Sequence, residues 1–266
     1  MDVGPEHETP QHGDAEGAVD AVTVAFGDAK QGLYGLARVG LPGPTGLGIL
    51  FEGSDVVAVE TEGVTVETLE TLARWRARFG DYFDVELSAL SAPAALTVEH
   101  PAGRAGGMNG YEQLCRVRGT VEDRPVDCLG QRGHSWGRPD WDRIALARTM
   151  SAWLDDQTAV SLTAVRSNKA KHHGDEDVAA YVVSGGVPEL MEEPLVSTTY
   201  DGDGRQRHVG LELWPAGDDA YPHRAAGEVL CGTTLDLGRL RLDCAFFAWK
   251  MEGRSGVGRY DVLRRA

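Results

Sequence analysis

Between Ala73 and Ala89 the chain alternates apolar and polar residues with a period of two. Ala73, Trp75, Ala77 and Phe79 interleave with Arg74, Arg76 and Arg78. Beyond Gly80-Asp81, Phe83, Val85, Leu87 and Ala89 interleave with Asp84, Glu86 and Ser88. Successive side chains of a strand point to opposite faces, so the pattern predicts a β-hairpin with one buried face. The exposed faces carry Arg on one strand and Asp/Glu on the other, which suits cross-strand pairing.

Similar segments recur along the chain. Leu33–Val39, Gly46–Phe51, Val56–Glu60, Leu114–Val121, Pro125–Leu129, Ala159–Val165, Val178–Val183, Pro194–Tyr200, Gln206–Leu213, Leu240–Lys250 and Gly258–Leu263 read as strands separated by turn residues. Ile144–Leu154 carries helix formers as well, but is read as a strand. Glycine is abundant, 34 of 266 residues, against a usual share of about 7%. Many short strands at this spacing predict an all-β sandwich or barrel. A chain of this length is one large β domain or two halves of about 130 residues. Self-comparison at an offset of 116 matches Glu112/Glu228, Leu114/Leu230, Cys115/Cys231, Asp127/Asp243, Cys128/Cys244, Gly137/Gly253 and Arg138/Arg254. The offset favours two similar halves, 20–139 and 140–266, with each Cys pair at an equivalent place. Residues 1–19 are acidic, carry Pro5 and Pro10, and read as a disordered tail.

The net charge is −15, from 26 basic and 41 acidic residues. An acidic chain repels phosphate backbones, so nucleic acid is excluded as an expected partner. No apolar run approaches the ~20 residues of a membrane span. The start lacks the basic and apolar regions of a signal peptide, and the expected location is cytoplasmic. Cys115, Cys128, Cys231 and Cys244 then read as reduced, buried thiols. No HExxH or CxxC occurs, and His172-His173 sit in a polar loop, so neither metal nor cofactor is expected. The Asp201–Gly204 run resembles a calcium loop, but Arg205 and Gln206 occupy positions that such a loop reserves for a ligand and a glycine.

One segment stands apart: Gly130-Gln131-Arg132-Gly133-His134-Ser135-Trp136-Gly137-Arg138-Pro139-Asp140-Trp141. Its density of Arg, His and Trp among Gly and Pro reads as a functional loop. It resembles the pattern Gly-x-Arg-Asp-His-Ser-Trp-Gly-x-Arg-Asp-Trp of the lipocalin-like family that includes carotenoid hydratase (hydroxyneurosporene synthase) and the AttH-type proteins. Tyr111-Glu112-Gln113, Gly119-Thr120 and the closing Trp249…Glu252-Gly253…Gly256…Gly258…Tyr260 extend the resemblance. Gly133 replaces the pattern's Asp, and Pro139 replaces its second Arg. The resemblance implies two tandem lipocalin-like antiparallel β-barrel or sandwich halves around a cavity for a hydrophobic small molecule.

The residues of this segment suggest roles. His134, Asp140 and Glu112 are the candidate catalytic acids and bases. Arg132 and Arg138 suit a carboxylate or enolate, and Trp136, Trp141 and Tyr111 suit an apolar ligand or a cation. Each also has a structural reading: Arg in ion pairs, Trp in the core, His134 bonded to backbone. Ser135 and His134 diverge in an extended chain, which removes a Ser–His nucleophile pair. Three functions remain open: acid-catalysed hydration, isomerisation or cyclisation of an apolar molecule; carriage of that molecule without turnover; or a loop that only locks the halves together. The oligomeric state is left open.

Overall fold

The structure is a computed structural model and describes residues 1–12, 17–41, 45–172, 174–217 and 221–266. Asp14 and Glu16 of the acidic tail and His173 of the polar loop lie outside the described residues. A first antiparallel sheet contains β1 (Val19–Asp28), β2 (Leu33–Gly40), β3 (Gly46–Glu52), β4 (Asp55–Glu60), β5 (Val64–Glu70), β6 (Arg74–Phe79), β7 (Phe83–Ala89), β8 (Ala94–Leu96), β9 (Met108–Val121) and β10 (Arg124–Gly137). A short helix, α1 (Pro101–Gly106), precedes β9. The second sheet contains β11 (Ile144–Asp155), β12 (Thr158–Ser167), β13 (Glu176–Ser184), β14 (Val187–Leu190), β15 (Glu193–Tyr200), β16 (Gln206–Trp214), β17 (His223–Asp236), β18 (Leu240–Met251) and β19 (Arg254–Arg265).

The alternating segment folds as the β6–β7 hairpin. Its Arg and acidic side chains meet diagonally: Arg76 Nε donates to Asp84 at 2.7 Å and Arg74 Nη2 to Glu86 at 3.1 Å. Ile144–Leu154 is indeed strand. The first sheet runs β4-β3-β2-β1-β10-β9-β7-β6-β5, and the second β14-β13-β12-β11-β19-β18-β17-β16-β15. This is one topology twice, with β8 added against β9 in the first sheet. The chain is all-β, two tandem curled antiparallel sheets.

The topology corrects the repeat at offset 116. That offset pairs β9 with β17, whereas the shared strand order pairs β9 with β18 and β10 with β19. The turns confirm the latter assignment. Glu122-Asp123 joins β9 to β10 and Glu252-Gly253 joins β18 to β19, all four residues with positive φ, as a tight two-residue hairpin turn demands. The Cys pairs therefore occupy different hairpins. Cys115 and Cys128 lie in the core of the first sheet, while Cys231 and Cys244 lie between the two sheets. All four are free and buried. Burial pushes Cys115, Cys128 and Cys231 up to about 12. Thiol titration is expected to find none reactive in the native protein and four after denaturation without reductant; fewer than four would show a pairing that this fold does not contain.

Each sheet curls around its own core. Phe26, Trp75, Phe79 and Phe83 fill the first, and Phe247, Trp249, Met150 and Tyr260 the second. The outer faces then pack together through Phe51, Leu114, Trp153 and Phe246. Central strands are thus covered on both sides, and β1 is buried along nearly its whole length. Among the described residues, no helix is long and apolar enough to cross a membrane.

The N-terminal residues correct the reading of a disordered tail where they are described. Pro5–Glu8 form a 3-10 turn, and the Glu8 side chain is 6% exposed against Arg132.

Candidate functional site

The segment read as a loop at 130–141 is strand β10 up to Gly137. Strand geometry therefore divides its side chains between two environments. Arg132, His134 and Trp136 point into the first curled sheet. Gln131, Gly133 and Ser135 point towards the second sheet.

The inward set binds the N-terminal segment. Arg132 Nη2 lies 3.2 Å from Glu8, and Nη1 donates to the Tyr111 hydroxyl. Tyr111 in turn donates to Glu8 at 2.8 Å, and Trp75 Nε1 donates to it at 3.0 Å. The Arg132 guanidinium also stacks over the Trp75 and Tyr111 rings, 5.2 and 5.0 Å from their centroids. His134 Nε2 lies 2.6 Å from Asp20 Oδ1, and Nδ1 lies 2.7 Å from the His7 carbonyl. Asp20 Oδ2 accepts from the backbone N–H groups of Gln11 and His12 at 2.5 and 3.1 Å. Trp136 packs on His7, with ring centroids 5.6 Å apart. Both ring nitrogens of His134 face protein oxygens, Asp20 Oδ1 and the His7 carbonyl. This cluster is a clasp holding residues 4–12 over the end of the first sheet.

Two other candidates leave the site. Asp140 and Arg138 are exposed. Asp140 pairs with Arg143 at 3.4 Å and accepts from the Asp142 N–H. They lie in the connection between the sheets, where polar side chains reach water.

The outward set borders a cavity of about 430 Å³ between the sheets. Strand register sets its polar floor. On the first sheet, Leu47, Arg38, Thr23, Gly133 and Glu112 lie in one row across β3, β2, β1, β10 and β9. On the second, Ser161, Ser151 and Arg259 form one row across β12, β11 and β19, and Thr163, Thr149 and Asp261 the next. The remaining wall is apolar, built from Leu96, Trp141, Ile144, Val165, Leu242 and Leu263. Pockets of this size and character hold small organic molecules.

Glu112 joins the two rows. Its carboxyl oxygens accept from Ser161 Oγ at 2.5 Å, Ser151 Oγ at 3.2 Å and Gln131 Nε2 at 3.0 Å. Gln131 also accepts from Trp153 Nε1 at 3.3 Å. Arg259 is 6% exposed, and its Nε lies 3.0 Å from Asp261 Oδ2. Burial opposes the charge on Arg259, but the carboxyls of Asp261 and Glu112 outweigh it and raise its pKa. Arg38 Nη1 donates to Thr23 Oγ1 at 2.8 Å. Burial first, and repulsion from Arg259 second, bring Arg38 down to about 10. The Gly133 position matters here. A Cβ there meets Glu112 Cγ at 3.2 Å, so the missing side chain leaves room for Glu112. Among the described residues, no cluster of three His, Cys, Asp or Glu side chains is arranged to hold a metal.

Of the residues singled out from sequence, Glu112, Trp141, Tyr111 and His134 border the cavity, the last two with their polar atoms turned to the clasp. Arg132, His134, Trp136 and Tyr111 form the clasp. Thr23, Arg38, Ser151, Ser161, Arg259 and Asp261 escaped the sequence reading. Arg259 and Asp261 alternate with buried Tyr260 and Val262, which reads as the solvent face of an ordinary strand. Only the covering sheet makes that face interior.

The architecture has solved counterparts. CghA aligns with a TM-score of 0.64 at 11% identity, over 94% of this chain and 88% of that one. CghA with Sch210972 gives 0.57 at 10%, over 94% and 89%. Kievitone hydratase from Nectria haematococca gives 0.58 at 11%, over 98% and 93%. At such identities the likeness is one of fold, and that fold is lipocalin-like. No curated protein matches the sequence. Residues 48–266 match the family model described as "Domain of unknown function (DUF7064)".

Proposed function

The chain belongs to the DUF7064 family, and we propose that it binds a small, largely apolar molecule in the cavity between its halves and transfers protons to and from it. The observation that carries this reading is the polar floor in an apolar cavity: Arg38, Thr23 and Glu112 facing Ser161, Arg259 and Asp261. Polar groups of this density between two packed sheets weaken an interface that apolar side chains would fill at lower cost. A hydratase and a protein crystallised with Sch210972 share the fold, which supports the reading at the level of architecture. So does the resemblance to the carotenoid hydratase family.

Asp261 is the proton-transfer group. Its Oδ1 has no hydrogen-bond partner in the protein, and Arg259 holds its other oxygen. As a carboxylate it removes a proton from carbon or from an attacking water. Returning that proton to another carbon of the same molecule completes an isomerisation. In a hydration the water oxygen bonds to one carbon of a double bond, the π pair moves to the other carbon, and that carbon takes the proton back from Asp261. Glu112 is saturated with donors and positions the floor. The halves 20–139 and 140–266 supply one wall each, and the four buried thiols suit a cytoplasmic protein.

The test begins with the molecule that copurifies, identified by mass spectrometry of the denatured extract. The wild type, incubated with it in D2O, is expected to incorporate deuterium or add the mass of water. Asp261→Asn should slow this about 10²–10⁴-fold while retaining the molecule. Binding by the wild type without exchange or mass change would replace the enzyme by a carrier with the same cavity.

A further inference from the structure

We propose that Arg38 and Arg259 form an oxyanion subsite, so that the molecule in the inter-sheet cavity is an amphiphilic organic acid: an apolar body ending in a carboxylate or an ionised enol. The inference rests on the cavity being a ligand site and adds the chemistry of the ligand's polar end.

A guanidinium carries five N–H donors. Arg38 uses one on Thr23, and among the described residues no carboxylate lies within ion-pair distance of it. Arg38 is half-buried, whereas the fully buried Arg132 sits against Glu8 and Arg148 against Glu176. Arg259 is 94% buried by the same measure that leaves it 6% exposed, yet its Nη1 has no partner in the protein. Buried donors are nearly always satisfied, and an unsatisfied charged one is costly. The two cations also feel each other, since Arg259 depresses the pKa of Arg38.

The resident carboxyls favour the charge on Arg259 but leave its Nη1 without a hydrogen-bond partner. Glu112 is occupied by Ser151, Ser161 and Gln131, and Asp261 meets Arg259 on the Nε side. An oxyanion placed between the guanidiniums takes the free donors of both and removes their repulsion. The opposite wall, with Leu96, Trp141 and Leu263, then accepts the apolar body.

The test uses the full chain and two matched pairs of probes in calorimetric titrations at neutral pH. One pair is 2-naphthoate and neutral 2-naphthamide. The other is 2-phenylindane-1,3-dione, ionised as its enolate, and its 2-methyl derivative, which cannot enolise. At least one anion is expected to bind about tenfold or more tightly than its neutral partner, and the pair that shows this names carboxylate or enolate. The preference should vanish in Arg38→Met/Arg259→Met and survive in part in Arg38→Lys, with neutral probes binding all variants alike. Equal affinities within both pairs, or a preference that outlives the double substitution, would overturn the subsite and leave the cavity reading standing. No binding by any probe would overturn both. The melting temperature of Arg38→Met should be unchanged or higher. A fall of about 10 °C or more, the scale of a lost buried ion pair, would mark Arg38 as structural and refute the proposal.

Discussion

His134→Ala is expected to lower the unfolding free energy by about 3 kcal/mol, the lower end for breaking a buried pair. The lower end applies because Asp20 keeps the two N–H groups of Gln11 and His12. For a chain of this size that is a fall of roughly 6–12 °C in melting temperature. The physical reason is the clasp: His134 joins Asp20 on β1 to the His7 carbonyl, so its loss removes one anchor of residues 4–12 and unpairs one oxygen of a buried carboxyl. Removing residues 1–12 should cost at least as much, because it takes the His7 carbonyl from His134, the Gln11 and His12 N–H groups from Asp20, and Glu8 from Arg132, Tyr111 and Trp75. Acid should also loosen the segment. Burial raises the pKa of Glu8, but Arg132 and the donors Trp75, Tyr111 and Thr68 outweigh it and leave it lowered. Its contribution is then complete above the ordinary glutamate range and is lost as the pH falls through the lowered value. Thermal melts of the variant and of the wild type across that range measure both effects. An unchanged melting temperature with lost ligand binding would instead return His134 to the catalytic role that its motif suggests.

Trp153→Ala is expected to cost about 3–5 kcal/mol, as large aromatic truncations in a core do. Trp153 is 1% exposed between the sheets, packs on Phe246 and donates to Gln131 on the opposite half. The truncation leaves a void and an orphaned amide oxygen at a contact between the halves. Denaturant unfolding followed by near-UV circular dichroism should therefore broaden or split into two transitions. A single sharp transition at an unchanged midpoint would show that the halves are coupled elsewhere.

The strands with one solvent face were legible because period two survives where water covers one side. Ala73–Ala89 is the clear case, and its charges even name their partners. The all-β class follows from the sequence on the same grounds, and the tandem organisation from chain length and the family resemblance. β1 was not legible: Val19–Asp28 is covered on both faces, so burial erases the alternation. The repeat was misplaced because seven identities at offset 116 outweighed by eye the topologically equivalent turns at 122–123 and 252–253.

The functional assignments depended on facts that lie between elements. Period two assigns His134 and Gly133 to opposite faces, but it cannot say which face holds a cavity. Asp20 and His7 reach His134 across more than a hundred residues of sequence, a separation that carries no local signal. Arg259 and Asp261 look like a wet strand face until the first sheet packs over them. The sequence by itself determined most of the strands and turns and the charge each side chain carries. Tertiary structure alone decided which of those charges water can reach, because burial belongs to the partner surface and not to the residue.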